Sequence, residues 1–118
     1  MNLLAKTLRW LYNIYAMLLF VLLMLIIFPF VIIASFFGPL RGGSAIYRIC
    51  MFWGDVWFPL VGIIHKNIYE APHNKKSAYI FVTNHISFLD AAVIVKTYRQ
   101  PIRALGKKET AGIPVFGY

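Results

Sequence analysis

Cysteine occurs once in this chain, at Cys50, so an internal disulfide is excluded. Its setting between Ile49 and Met51 suits a small apolar packing residue, with palmitoylation as the alternative. His65 and His73 are isolated from each other and from that cysteine. The spacing of a metal centre is lacking, and no metal and no resident cofactor are expected. Acidic residues are also scarce, 4 against 12 basic ones, for a formal charge of +8 that invites a nucleic-acid reading. Yet no basic run exceeds two residues, and no basic stripe is interleaved with aromatic stacking groups. Nucleic acid is therefore set aside as a partner. Anionic lipid headgroups are nearer, each juxtamembrane Lys or Arg adding about 1 kcal/mol of attraction. Internal repeats and low-complexity segments are absent.

Charge itself is missing from Trp10 through Leu40. Residues 14–37 are apolar almost throughout, long enough to cross a hydrocarbon layer that takes about 20 residues. Lys6 and Arg9 give the run a basic start, as in a signal peptide. A signal's apolar region spans only about 7–15 residues before a small-residue cleavage site, however, and this one overshoots without an Ala-x-Ala. An uncleaved anchor is expected. Pro29 removes one internal helix hydrogen bond, which membrane helices tolerate.

Residues 46–60 read as an interfacial helix. Arg48 and Asp55, seven apart, share one face, and Tyr47, Phe52, Trp53 and Trp57 supply aromatic groups suited to the headgroup zone. A helix packed against soluble protein is the alternative. Lys6 and Arg9 precede the apolar run, while Arg41, Arg48, Lys66, Lys75 and Lys76 follow it. That excess places the C-terminal part in the cytoplasm. Basic flanks on both sides also fit a helical hairpin entering and leaving by one face, and spanning against re-entrant stays open. A membrane anchor over residues 1–61 followed by a second unit over 62–118 is the expected division.

Residues 38–44, Gly-Pro-Leu-Arg-Gly-Gly-Ser, read as a break between the apolar segments, and 70–77 as another. Strands are expected over 62–69, over the apolar run 78–82 and over 102–105. A helix is expected over 87–98, with a turn at Arg99-Gln100-Pro101 after it. Strand, helix, strand within about 30 residues is a βαβ-like unit, so the fold class expected after the membrane helices is α/β.

Asn84-His85-Ile86-Ser87-Phe88-Leu89-Asp90 follows the apolar run directly. His85 is expected in a strand-to-helix turn, where α/β sheets collect their ligands. Residues five apart on one helix point about 140° away from each other. With His85 before the helix and Asp90 in its first turn, the chain can fold back so that the carboxylate reaches one imidazole nitrogen. The other nitrogen is then left as a general base. Ser87-x-x-Asp90 is equally a capping-box pattern, in which Asp90 satisfies a free backbone N–H at the helix start. The two roles are compatible.

The chain resembles the glycerolipid acyltransferase family, which includes bacterial 1-acyl-glycerol-3-phosphate acyltransferases. The resemblance rests on Asn84-His85-(four residues)-Asp90 behind its apolar run. It rests also on Gly106-Lys107-Lys108-Glu109 followed by Ile113-Pro114-Val115-Phe116-Gly117. These blocks cover roughly the second half of the chain. The resemblance implies a two-helix membrane element and an acyltransferase-type α/β domain. It implies acyl transfer from acyl-carrier protein or coenzyme A, as co-substrate, to the free hydroxyl of a lysophospholipid acceptor.

His85 would be the base and Asp90 its orienting partner, while Lys107 and Lys108 suit the acceptor's phosphate as point charges. Two lysines after a strand are otherwise a solvated loop. The family's later motifs, including Glu-Gly-[Thr/Ser]-Arg, do not occur before Tyr118, so an N-terminal portion of a longer enzyme, inactive alone, is expected. A relative accepting glycerol 3-phosphate or a lyso-aminolipid, and a non-catalytic membrane-anchored protein, are the rival readings.

Overall fold

A computed structural model describes residues 2–72, 74–84, 87 and 89–103. Among them three helices form and no strand: α1 at Leu3–Ser35, α2 at Gly38–Leu60 and α3 at Asp90–Thr97. The run of α1 is rich in leucine, a good helix former, and the hydroxyls of Thr7 and Ser35 bond back to helix carbonyls near its two ends. Pro29 sits inside without ending it. At about 1.5 Å per residue, its 33 residues exceed the roughly 30 Å of a hydrocarbon layer. α1 is thus long and apolar enough to cross a membrane.

The chain reverses between α1 and α2 over Phe36 and Phe37, whose N–H groups donate to the carbonyls of Ile33 and Ala34. Gly38 follows at φ +86°, a left-handed conformation open to glycine without a Cβ penalty. Pro39 then lies in the first turn of α2, where its missing N–H costs nothing. The break expected over 38–44 is therefore already helix. Gly42 permits that, because a Cβ there would collide with the backbone carbonyl of Ala34.

The two helices run antiparallel. Trp53, Trp57, Phe58 and Val61 of the α2 region pack against Ala16, Leu19, Phe20, Leu23, Met24 and Ile27 of α1. The indoles of Trp53 and Trp57 stack with centroids 5.5 Å apart, and Phe20 meets both edge-on at 4.9 and 5.4 Å. Trp57 Nε1 also donates to the Ala16 carbonyl at 3.2 Å. At the far end Tyr12 Oη donates to Val61 O at 2.7 Å and Tyr15 Oη to Leu60 O at 2.9 Å. These hydroxyls satisfy carbonyls that a helix C-terminus leaves without intrahelical partners. Trp53 and Trp57, expected at the headgroup level, are instead interhelical core, 8% and 5% exposed.

The α/β expectation is overturned among the described residues. A strand exists only through ladder hydrogen bonds to a neighbour, and residues 78–82 form no strand with any described segment. Ile80 and Val82 stand 94% and 88% exposed. The apolar composition satisfied the local pattern, but among the described residues no second segment forms a sheet with it. Residues 62–69 likewise form no strand, nor do Ile102 and Arg103; the end of the expected 102–105 strand lies outside the described residues.

Candidate active site

α3 is the short helix that positions the candidate site, and it is held from three directions. Gly54 of α2 lets it approach closely, a Cβ there falling 3.2 Å from Val95 Cγ2. Asp55 receives Lys96 Nζ at 2.9 Å and both Arg99 terminal nitrogens at 3.1 and 2.8 Å. Lys96 lies over the Phe58 ring at 5.9 Å as well. The last carbonyls of α3 then find side-chain donors from elsewhere in the chain. Asn67 Nδ2 bonds Lys96 O at 3.2 Å, Tyr69 Oη bonds Thr97 O at 3.1 Å and Tyr47 Oη bonds Tyr98 O at 2.7 Å. His65, half-buried, approaches Asn67 Oδ1 at 2.6 Å and supports it.

Partial burial works to raise the Asp55 pKa, but hydrogen bonds from Arg99 and Lys96 outweigh it and hold the carboxyl below its usual range. Burial pushes the Tyr47 hydroxyl up to about 12, keeping it a proton donor to Tyr98 O. Burial also raises the Cys50 thiol, which lowers its thiolate content and suits a packing role.

The opposite end of α3 carries the motif. Asp90 Oδ2 accepts the Ser87 backbone N–H at 2.8 Å, and Ser87 Oγ accepts the Leu89 N–H at 3.2 Å. Ser87 is thus occupied as a helix-start cap, and the capping-box reading of Asp90 is realised. The regular helix begins at Asp90, three residues later than expected, because 87–89 form the preceding turn. Asp90, Thr83, Asn84, Val93, Ile94, Thr97 and Tyr98 line a shallow recess of about 100 Å³. The ring of Phe81 lies 4.0 Å from that of Tyr98, one of the lining residues.

Asn84 and Asp90, from the two ends of the motif, thus line one recess that runs along α3. His85, Lys107 and Lys108 lie outside the described residues. Among the described residues no group of His, Cys, Asp and Glu has the arrangement of a metal site.

Two features went unread in the sequence. The Asp55–Lys96–Arg99 cluster joins residues more than 40 apart, and the Asn67, Tyr69 and Tyr47 caps come from three separate segments. An acidic residue in a chain with so few was the one signal available for the first. Comparisons with protein-family models, curated proteins and solved structures gave no match.

Proposed function

We propose that the protein is a membrane-bound O-acyltransferase. It moves a fatty acyl group from an acyl-carrier-protein or coenzyme A thioester to the free hydroxyl of 1-acyl-glycerol 3-phosphate, giving phosphatidic acid at the cytoplasmic face of the cell membrane. The observation that carries this reading is that Asn84, which precedes His85 in the chain, and Asp90 line one recess that runs along α3.

In this mechanism His85 takes the proton from the acceptor hydroxyl as the oxygen attacks the thioester carbonyl. Asp90 orients the imidazole and stabilises its positive form. The thioester C–S bond breaks and the leaving thiolate takes the proton back. A covalent enzyme intermediate is not required, which agrees with Ser87 serving as a cap. Lys107 and Lys108 would hold the acceptor's phosphate as point charges. A base at the bilayer surface also spares the lipid from leaving its leaflet, an extraction that costs about 0.8 kcal/mol per CH₂.

The test is incubation of the full-length protein in lipid with lysophosphatidic acid and a labelled acyl donor of each kind, with phosphatidic acid the expected product. Acylation of glycerol 3-phosphate or a lyso-aminolipid in its place would change the acceptor. The Ser87–Asp90 hydrogen bond favours a second reading, a non-catalytic membrane-anchored protein in which Asp90 is only a cap. Absence of transfer to any acceptor would leave that one standing.

A further inference from the structure

Asp55 is the one acidic residue of α1 and α2, and Lys96 and Arg99 already hold it. Arg41 and Arg48 are exposed and have no acidic partner among the described residues. Arg41, Arg48 and Asp55 recur at seven-residue steps, just under two turns, so they stack on one flank of α2 within about 40° of arc and about 10 Å apart along the axis. Ser44 lies on the same side, and Arg103 docks there. One of its terminal nitrogens donates to Leu40 O at 3.0 Å, Pro39 O at 3.3 Å and Ser44 Oγ at 3.4 Å. All three acceptors are neutral, so the charge of Arg103 stays uncompensated by them.

The flank adjoins the face through which Tyr47 and Gly54 meet the α3 segment, and it is turned away from Gly42 and Trp53, which meet α1. The line of guanidinium groups therefore runs beside the helix that carries the candidate site. Its spacing selects among anions. A single phosphate meets one member of the line, whereas an acidic helix with carboxylates at the same seven-residue step meets several at once, and complementary charge of that kind fixes register and speeds encounter. Lipid headgroups are mobile and need no fixed spacing, and Arg103, pinned by three oxygens, is not free to follow them.

We propose that Arg41, Arg48 and Arg103 form a docking strip for the acidic face of an acyl carrier protein, which seats the thioester donor beside α3. The choice of partner rests on the acyl-transfer reading.

The test uses the full-length protein in nanodiscs of neutral lipid, with fluorescently labelled acyl carrier protein as the probe and anisotropy as the readout. Arg41→Gln with Arg48→Gln is set against Lys75→Gln with Lys76→Gln, which removes as much charge from an exposed turn off the strip. The arginine pair should weaken carrier binding about 10-fold at low salt and flatten its salt dependence, while the lysine pair leaves both unchanged. kcat/KM should fall by the same factor with the acyl-carrier thioester and stay unchanged with acyl-coenzyme A. Carrier binding that is absent, or that the arginine pair leaves unchanged, overturns the proposal. An equal loss in the lysine pair also overturns it, since net charge alone would then explain the binding, and so does loss of the arginine variant from the lipid fraction, which would assign the strip to headgroups. Arginine-dependent binding without transfer from either donor rejects the acyl-transfer reading and supports the docking strip.

Discussion

Replacing Asp55 by Asn should loosen α3 selectively. Asp55 holds Arg99 through two bonds, at 3.1 and 2.8 Å, and Lys96 through one at 2.9 Å. Its side chain is 38% exposed, Arg99 is 47% exposed and Lys96 18%. Exposed pairs contribute about 0.2–1 kcal/mol each, with paired bonds from one Arg at the upper end. The more sheltered Lys96 adds the cost of a cation left without its partner. A loss of about 1–2 kcal/mol follows, or roughly a 5–30-fold shift in the docking equilibrium.

Hydrogen exchange in lipid nanodiscs reads this directly. The N–H groups of Val93 and Tyr98, bonded to Leu89 and Ile94 carbonyls, should exchange faster by that factor, while those of α1 stay unchanged. The pH dependence has a definite sign. The folded-state pKa of Asp55 is depressed, so its contribution is fully present above the unfolded value of about 3.9 and is lost as pH falls through the lower folded value. Between pH 5 and 8 the difference between the two proteins should be flat. Unchanged exchange in α3, or equal acceleration in α1, would refute the assignment of Asp55 as the tether.

Gly42→Ala should destabilise the hairpin despite a helix-propensity gain of about 1 kcal/mol. Its Cβ meets a backbone carbonyl that cannot turn aside, and such overpacking costs about 1–3 kcal/mol. Gly43→Ala meets only the Arg103 guanidinium, which can shift, so a midpoint drop in denaturant for Gly42→Ala but not for Gly43→Ala is the expected pair. Trp57→Phe should lower stability by about 1 kcal/mol for the bond to Ala16 O. Trp57→Ala should cost about 3–5 kcal/mol in the same titration, and equal effects from the two would show that the stacked core carries little.

The helices were legible where one local signal dominated. A run without charge from Trp10 to Leu40 leaves the chain little alternative to α1. The start of α2 was hidden because Gly38, Pro39, Gly42 and Gly43 have the chemistry of a loop. Only the approach of Ala34 reveals that Gly42 is there for want of a side chain. The strand over 78–82 failed for a related reason, since its apolar pattern specifies a surface and not the partner that would make it a ladder. Ser87 and Asp90 marked the cap before α3 through their three-residue spacing, although the regular helix begins only at Asp90. The cluster at Asp55 was out of reach, as its partners lie 41 and 44 residues away and nothing local marks them.

The central claim is that His85 and Asp90 act together on a hydroxyl, and its most direct measurement is acyl transfer by two variants of the full-length protein beside hydrogen exchange in α3. His85→Ala should reduce turnover by the full contribution of a general base, about 10²–10⁴-fold, with α3 exchange unchanged. Asp90→Asn should retain weak activity and a folded α3, because an amide oxygen can still accept the Ser87 N–H that Asp90 holds at 2.8 Å but cannot stabilise an imidazolium. Unchanged turnover in His85→Ala together with an unfolded α3 in Asp90→Asn would contradict the account and leave Asp90 a cap alone.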